Sequence, residues 1–541
     1  MRMNFTKWIL ICMTLASAAG AGVINVPAGP VWGKWNTGDS VIVQPGAYVP
    51  EGQLLIVEGG AHIFFAGSGR FDAEGVLRME GSVLSPIYVY SVENWRGFRL
   101  SGSVWHLFNS VHIMSDVGLA RQCVELVDGG LELNDCSFRA SENCLRISSG
   151  QLHARRNSFV TSGLYSRVVE LNNLVGFAST DCNEAPGNIF RDNFLKAEVG
   201  PLGPGDPIDP FNSTAGLWVE NSTNICLSAN NIIVRAPLNV IGARFGNTPD
   251  FGDQSWDLDF TIVYAESYSQ MALGVLNEVN GNLDVSKMTI TVRGAAGYTS
   301  SCFFASRTAY IRVNSTTTIM GSPVDIYFNT SGTGRIDADY VVKWMEPGLS
   351  LDYAPENPLF NSAEVIYESF DELTVFLGDS IWEDNPDFAM VGNWGHWNSN
   401  EELAAFFSLT PTSPCIDRGD PAYGNDPDDT RLDIGRFYFH QEQSPVHDRP
   451  GIVGSAVMEA AYPNPFNPAT VLPIAVNGSG VLHITVWDVL GRTVYELSRP
   501  VYSPGLQNVH FDASGLSTGL YVAQAEFGGR VIGSQRLLFV K

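Results

Sequence analysis

The densest group of side chains that could hold a metal ion is an acidic run near residue 420. Hard cations such as Ca²⁺ bind several carboxylate oxygens at once, so clustered aspartates predict a calcium site. The spacing is not that of an EF-hand loop, and Asp-Pro and Gly-Asp steps also form ordinary turns, which is the alternative. The run contains Asp417, Asp420, Asp426, Asp428 and Asp429. Calcium is the one cofactor that the sequence suggests, because zinc and phosphate-binding motifs are absent.

A second group of candidates is aromatic and lies in or beside three long insertions. Aromatic rings offer large flat apolar faces, which can stack on sugar rings. The insertions span about 161–187, 197–214 and 241–257, and the candidate rings are Phe211, Trp218, Phe251 and Trp256. The sequence predicts a carbohydrate-binding groove here. The alternative is that each ring packs only against its own loop.

The insertions interrupt a loose repeat that extends from about Leu55 to Val342. Each copy has an apolar residue, two others, a small or Asn-type residue, one other and a second apolar residue. Examples are Phe108-x-x-Val111-x-Ile113, Leu133-x-x-Cys136-x-Phe138 and Ala154-x-x-Asn157-x-Phe159. Strands this short cannot bury a face alone, whereas coils stacked ~4.8 Å apart give each strand a partner above and below. The repeat therefore predicts a right-handed parallel β-helix.

Several residue types recur at single positions of this repeat. Asn157, Asn193 and Asn230 share one position, which predicts a ladder of side-chain amides down the stack; unrelated turn asparagines are the alternative. The three insertions occur at about the same place in the repeat, so they should emerge together as a wall or groove. Cys123 and Cys144 occupy equivalent positions in successive coils, ~5 Å apart, within disulfide range. A pair of buried free thiols is the alternative.

Three further segments carry a family resemblance. The amino-terminal stretches Val49-Pro50-Glu51-Gly52, Gly75-Val76-Leu77 and Trp95-Arg96-Gly97-Phe98 resemble the opening of secreted right-handed β-helix proteins of the pectin-lyase-like class. Downstream, Ser413–Pro421 and Thr430–Gly435 resemble the segment that closes such β-helices. The resemblance implies the architecture and leaves the activity open.

An enzyme of that class would need residues that this sequence does not clearly supply. A polysaccharide lyase needs a Lys or Arg base beside a carboxylate-neutralising group, and the repeats contain few lysines, namely Lys196, Lys287 and Lys343, without an obvious acidic calcium cluster beside them. A pectin-type hydrolase needs paired aspartates, but its Asn-Thr-Asp and Gly-His-Gly motifs are absent. Gly395-His396-Trp397 differs at its third residue and lies after the coils, so aromatic packing is favoured. The sequence therefore favours a protein without enzymatic activity.

The last eighty or so residues carry motifs of high specificity. They include Tyr462-Pro463-Asn464-Pro465-Phe466-Asn467-Pro468 and Gly519-Leu520-Tyr521. Three prolines within six residues exclude a helix, and the alternation from Leu482 to Val489 predicts a strand. The tail resembles the type A C-terminal sorting domain of the bacterial type IX secretion system, which implies recognition by that machinery. An ordinary Ig-like binding module is the alternative.

Composition and the amino terminus agree with export. Positively charged Arg2 and Lys7, an apolar run from Trp8 and small residues up to Ala21 predict a signal peptide. No later stretch has the ~20 consecutive apolar residues of a membrane span. The net charge of −25 argues against nucleic acid and anionic membranes as partners. We expect a protein secreted to the medium or held on the outer-membrane surface after crossing the periplasm.

Together these observations predict an all-β protein in which a parallel β-helix precedes a small Ig-like β-sandwich. We expect a signal peptide at 1–21, the β-helix at 22–345, its irregular closing region at 346–443, a linker at 444–458 and the sorting domain at 459–541. The preferred function is a surface-displayed or secreted binding or adhesive protein, with polysaccharide as its partner. A polysaccharide lyase or glycoside hydrolase, and a structural surface protein without ligand, are the alternatives.

Overall fold

The computed structural model describes most of the chain after the amino terminus. The described residues are 22–92, 95–117, 120–174, 187–202, 209, 212–222, 225–246, 255–278, 282–295, 298, 300–320, 326–331, 333–345, 375–377, 380–382, 385–390, 396–441, 457–458, 461, 466–467, 469–476, 480–488, 492–501 and 505–540. The predicted signal peptide and residues 444–456 of the predicted linker lie outside them, whereas Val457 and Met458 form a strand that pairs within the carboxy-terminal sandwich, so this domain begins before residue 459. Among the described residues, no helix is long and apolar enough to cross a membrane.

The first part of the chain consists almost wholly of short strands. In chain order they are β1 (Val23–Val26), β2 (Gly29–Pro30), β3 (Gly33–Trp35), β4 (Ser40–Val43), β5 (Ala47–Val49), β6 (Leu54–Glu58), β7 (His62–Phe65), β8 (Phe71–Ala73), β9 (Val76–Glu80), β10 (Ile87–Val92), β11 (Phe98–Leu100), β12 (Trp105–Asn109), β13 (Val111–Val117), β14 (Ala120–Leu126), β15 (Gly130–Asn134), β16 (Ser137–Ile147), β17 (Gln151–Arg155) and β18 (Ser158–Thr161). They continue as β19 (Arg167–Asn172), β20 (Asn188–Arg191), β21 (Phe194–Glu198), β22 (Thr214–Glu220), β23 (Ile225–Ser228), β24 (Asn231–Ala236), β25 (Val240–Gly246), β26 (Ser255–Asp259), β27 (Ile262–Ser267), β28 (Ala272–Asn277), β29 (Asn282–Ser286), β30 (Thr289–Arg293), β31 (Ser301–Ala305), β32 (Tyr310–Met320), β33 (Ile326–Thr330), β34 (Arg335–Met345), β35 (Val375–Leu377) and β36 (Ile381–Trp382).

These strands wind into a parallel β-helix with three faces, as predicted. Each strand pairs in parallel with its equivalent one coil later, for example β4 with β7, β5 with β8 and β6 with β9. Face A contains β1, β4, β7 and their successors, face B contains β2, β5, β8 and theirs, and face C contains β3, β6, β9 and theirs. The long strands β16, β32 and β34 bend around a corner and contribute to two faces. Alternate side chains point inward and form one continuous apolar core.

The predicted asparagine ladder is present at the corner between faces C and A. Asn157 Nδ2 donates to Asn193 Oδ1 at 3.0 Å, and Asn193 Nδ2 donates to Asn230 Oδ1 at 3.1 Å. The same two oxygens accept from the backbone N–H groups of Asn157 and Asn193. Each amide also donates to a carbonyl of the preceding coil. The ladder therefore satisfies polar groups at a fully buried corner.

The backbone explains why the ladder recurs. The residue before each ladder position adopts a left-handed conformation with φ between 48° and 58°, which turns the chain sharply between two strands. These residues are Ser110, Asp135, Arg156, Asp192, Ala229, Phe260, Lys287 and Ser315. The turn leaves the next residue's side chain pointing along the stack, where an amide can both donate and accept.

Cys123 and Cys144 are adjacent as predicted, but both are free thiols. Gln122 pairs with Asn143 and Val124 with Leu145, which places the two cysteines side by side. Each is fully buried and its thiol donates to a backbone carbonyl. The predicted disulfide is therefore absent and the alternative applies. Burial raises the pKa of the Cys123 thiol, so the thiolate needed for oxidation is disfavoured. Cys226 is disulfide-bonded.

A closing segment follows the strands and lies along face A within the same compact unit. Lys196 Nζ donates to Asn398 Oδ1 at 2.9 Å, and Asn231 Nδ2 donates to Asn400 Oδ1 at 2.7 Å. Trp397, only 2 % exposed, packs edge-on against Tyr264, so the aromatic-packing interpretation of Gly395-His396-Trp397 fits this geometry. Strands β35 and β36 pair with β34, so the stack continues past residue 345, where the sequence analysis ended it.

A second compact unit contains residues 389–391, 401–408 and 439–541. The helix α1 (Asn400–Phe407) precedes seven strands: β37 (Val457–Met458), β38 (Ala469–Val476), β39 (Gly480–Asp488), β40 (Thr493–Val501), β41 (Gly505–Asp512), β42 (Gly519–Phe527) and β43 (Arg530–Phe539). They form two antiparallel sheets, of three strands and of four, around a shared apolar core. This is the predicted small β-sandwich.

Candidate functional site

The insertions border face B of the central coils. Residues 173–187 and 247–254 connect face B to face C, whereas residues 199–213 connect face A to face B. The prediction that all insertions share one corner is therefore wrong. The repeat is too irregular in sequence to distinguish the corner between faces A and B from the corner between faces B and C. Strands β19, β22 and β25 of face B are the strands that these connections leave or enter.

Trp218 lies on this face between two arginines. The guanidinium Cζ of Arg167, from the preceding coil, is 3.7 Å from the ring centroid, and that of Arg244, from the following coil, is 3.9 Å away. The residue is 9 % exposed. Glu170 accepts from Arg167 at 3.0 Å, and Glu220 and Glu278 bind Arg244. Trp218 therefore does not offer an open face to a sugar, which corrects the prediction.

The side chains of the other three predicted aromatic residues are not among those that the structure describes. Phe211 and Phe251 lie outside the described residues. The backbone of Trp256 belongs to β26 on face C, opposite Leu283, but its side chain also lies outside the described part of the structure. Their assignment to carbohydrate stays a prediction.

The amino-terminal coils of face B carry a regular row of planar charged groups. Successive register partners in this row are Asp72, Arg99, Glu125, Arg146 and Glu170. Arg99 lies 3.8 Å from Asp72, and Arg146 lies 3.6 Å from Glu170. The row alternates in sign and leads directly to Trp218. Parallel stacking thus brings together five charges that are 21 to 27 residues apart in sequence.

Face C carries a cluster of carboxylates that the sequence analysis missed. Asp257 and Asp284 are register partners on adjacent strands, and Asp259 pairs with Ser286. Burial, reinforced by the charges of Asp257 and Asp284, raises the pKa of Asp259 to about 6, although its Ser286 hydrogen bond and Lys287 oppose this. Burial and then Asp284 raise the pKa of Asp257 as well. The sequence signal that could have revealed this pair is the 27-residue spacing from Asp257 to Asp284, which equals the spacing of the equivalent repeat positions Leu258 and Val285.

The acidic run of the closing segment forms turns rather than one cluster. Asp420 Oδ1 caps the 3₁₀ turn Pro421–Tyr423, Asp426 Oδ2 accepts from the Asp433 N–H, and Asp428 Oδ1 accepts from Thr430. Asp417 donates its backbone N–H to Asp433, and Asp429 accepts from Asn425. Within the described residues, no three His, Cys, Asp or Glu side chains gather as an ion would require. The turn interpretation fits, and calcium binding has no geometric support there.

Two motif residues of the carboxy-terminal domain, Phe466 and Tyr521, belong to its core. Phe466 is 2 % exposed, donates its N–H to the Leu538 carbonyl at 2.9 Å and stacks on Phe539. Gly519 begins β42, and the Tyr521 hydroxyl donates to the Ser517 carbonyl at 2.6 Å. Asn467 is exposed, while Tyr462–Pro465 and Pro468 lie outside the described residues.

Comparison with known proteins identifies one part of the chain. Residues 460–538 match the family model described as secretion system C-terminal sorting domain. The chain is similar to a double mutant of the tailspike protein of E. coli bacteriophage HK620 in complex with a pentasaccharide, at 10% identity, covering 94% of this chain and 89% of that one, with a TM-score of 0.18. No curated protein matches. The similarity to the tailspike is too slight to support any conclusion about this chain.

The sorting-domain match and the β-sandwich core agree, and they establish the destination of the protein. It is exported through the type IX system and is secreted or displayed on the cell surface. The match covers the last part of the chain alone, so what the β-helix does must come from its own residues.

Proposed function

We propose that the exported protein binds carbohydrate on the outer surface of its β-helix. The observation that carries this proposal is the row from Asp72 to Glu170 on face B, which ends opposite Trp218 on β22. Sugar hydroxyls both donate and accept hydrogen bonds, and carboxylate and guanidinium groups offer paired acceptors and paired donors in one plane. Stacked strands hold such groups rigidly, as a binding site requires.

The charges of this row favour neutral glycans over polyanions. Acidic and basic groups alternate along it, and the whole chain carries a formal charge of −25. A polyanion would be repelled by the overall field, whereas a neutral glycan would exchange water hydrogen bonds for those of the row.

Retention on a panel of immobilised polysaccharides tests the proposal. We expect wild type to be retained by at least one neutral glycan and the double variant Arg99→Ala/Arg146→Ala to bind it roughly ten-fold more weakly. Arg335→Ala is the matched control, because Arg335 is 52% exposed and paired with Asp337 on face C. Failure of wild type to bind any glycan would contradict the proposal and favour a structural surface protein.

Glycoside hydrolysis is a second candidate, favoured by the carboxylates of face C. Hydrolysis requires one carboxyl group that is protonated near neutral pH and another that is ionised, on either side of the scissile bond. Asp259, with a pKa of about 6, is suited to donate a proton, while Asp257 or Asp284 would act as the base or nucleophile. Lys287, whose pKa is lowered chiefly by burial, is the nearby base that a lyase would use.

Product analysis separates the two enzymes from a binding protein. New reducing ends without ultraviolet absorption would indicate hydrolysis, and we expect Asp259→Asn and Asp284→Asn to abolish them while retention on the glycan persists. Products that absorb in the ultraviolet would indicate a lyase and should disappear in Lys287→Ala. Retention of an intact glycan would leave binding as the function.

A further inference from the structure

Face C of the amino-terminal coils carries a tryptophan whose indole is open to solvent. Trp105 on β12 is 43% exposed and pairs with Gly130 of the next coil. A Cβ atom on Gly130 would come within 2.3 Å of the indole Cδ2, so the ring lies flat against the backbone of β15. The His153 ring, one coil further, is 5.0 Å from the indole centroid. One face of Trp105 is thus supported by the sheet while the other can receive a ligand.

A polar pocket lies beside this platform, at the corner between faces C and A. Its volume is about 480 Å³, and its lining includes Asn109, Glu132, Asn134 and Arg155. Asn134 Nδ2 donates to Asn109 Oδ1 at 3.0 Å and to Glu132 Oε1 at 2.9 Å. These bonds hold three planar groups in fixed orientations, with acceptor and donor capacity left over for a ligand.

The charges of the pocket cancel, and one of its cations is available. Glu132 and Asp135 are acidic, and Arg155 and Arg156 are basic. Arg156 is occupied by Asp135 through two hydrogen bonds of 2.8 Å. Arg155 makes no ion pair or side-chain hydrogen bond with any described residue, so its guanidinium donors can meet a ligand acceptor.

We propose that this pocket and the exposed indole of Trp105, on the same strand as the pocket residue Asn109, together bind a short neutral oligosaccharide, an inference that rests on the carbohydrate-binding function proposed above. Trp105 and Asn109 point outward from one strand four residues apart, which separates platform and pocket by ~13 Å. A sugar ring stacked on the indole would extend the chain toward Glu132, Asn134 and Arg155, where its hydroxyls find donors and acceptors. The neutral lining selects against a charged glycan.

Calorimetric titration of the full-length exported protein with each glycan that it retains tests the site. We expect Trp105→Ala to weaken binding at this second site roughly ten-fold or more, and Arg155→Ala to weaken it several-fold, while binding at the row of Arg99 and Arg146 on face B stays as in wild type. Trp32→Ala is the matched control, because Trp32 is also exposed, at 56%, but is not part of the pocket lining. This variant should bind the glycan as wild type does. Equal thermal unfolding of Trp105→Ala and wild type would show that the fold is retained.

Gly130→Ala provides a second variant that keeps the indole. The added methyl group would collide with the ring and displace it from the sheet, so binding should weaken although no aromatic group is lost. Wild-type affinity in both Trp105→Ala and Gly130→Ala, with a glycan still bound, would overturn this site and leave the proposed function standing. Absence of glycan binding by wild type would overturn the proposed function itself.

Discussion

The side chain of Asn193 connects three coils of the β-helix through groups that water cannot reach. Its Oδ1 accepts two hydrogen bonds from Asn157, and its Nδ2 donates to Asn230 and to the Ala154 carbonyl. Buried donors that lose their acceptor keep the full cost of their desolvation. A single substitution in the ladder should therefore lower the free energy of unfolding substantially.

We expect Asn193→Ala to destabilise the β-helix by about 2–4 kcal/mol, because it leaves the backbone N–H of Asn157 without an acceptor and removes the bonds to Asn230 and Ala154. Chemical denaturation followed by circular dichroism measures the change. Asn212→Ala, at an exposed position, is the control and should lie within about 0.5 kcal/mol of wild type. Equal stability of the two variants would show that the ladder is dispensable.

His106 gives the β-helix a defined dependence on pH. It is 1 % exposed, accepts a hydrogen bond from the Leu77 N–H through Nδ1, and burial lowers its pKa to about 4. A histidine pKa below its unfolded value means that the unfolded chain binds a proton first as pH falls. Stability is thus complete above pH ~6.5 and declines as the pH falls toward ~4.

His106→Gln should remove this dependence, since glutamine can still accept from Leu77 and does not titrate. The free energy of unfolding of wild type relative to His106→Gln should fall by roughly 3 kcal/mol between pH 7 and pH 4. Denaturation curves at several pH values measure it, with His483→Gln in the sorting domain as control. A constant difference across that range would contradict the assignment. The raised pKa values of Asp259 and Asp426 act in the opposite direction, which is why the comparison must be between variants.

At the scale of elements, sequence reasoning succeeded where one local rule repeats in every coil. The apolar, turn and ladder positions recur because eight of the corners between faces C and A have a left-handed residue, which a small or amide side chain follows in most of them. That pattern is local, so spacing alone predicts the β-helix, the asparagine ladder and the adjacency of Cys123 with Cys144.

The contacts that the sequence did not predict join residues of different coils, and they depend on which coils become neighbours. Arg244 covers Trp218 because β22 and β25 pair in parallel with these two residues opposite each other, a register that the lengths of the insertions do not reveal. Trp105 is presented by a glycine 25 residues later, and Asp257 meets Asp284 across 27 residues. Such pairs are visible once the register is known and carry no local motif.

The closing segment adds a prediction at this scale. Lys196, whose side chain is 6 % exposed, binds Glu198 at 2.8 Å and Asn398 at 2.9 Å, so it holds the segment around residue 398 on face A. We expect Lys196→Ala to cost about 1–2 kcal/mol and to speed amide exchange of residues 396–400 more than that of β24. Hydrogen exchange with mass spectrometry measures this. Lys34→Ala, which removes an exposed ion pair with Glu58, should change neither. Unchanged exchange at 396–400 would show that other contacts hold the segment.

The export signal and the proposed glycan-binding surfaces of the whole molecule belong to separate compact units. The β-helix has its own continuous core, and the sorting domain has another. Each core is closed by its own strands, so neither unit should need the other to fold. The carbohydrate-binding surfaces proposed here lie entirely on the β-helix, whereas the sequence that directs export lies at 460–538.

This separation predicts that deletion of residues 460–541 abolishes surface display without unfolding the β-helix. The shortened protein should accumulate in the periplasm, bind the same glycan with unchanged affinity and unfold at the same denaturant concentration as the β-helix of the full chain. Cell fractionation with immunodetection locates it, and titration measures its binding.

Phe466→Ala in the full chain is the milder variant: removal of a ring buried against Phe511 and Phe539 should cost about 3–5 kcal/mol of sorting-domain stability and reduce display in proportion. Surface display of the deletion variant, or loss of its glycan binding, would show that the two units depend on each other.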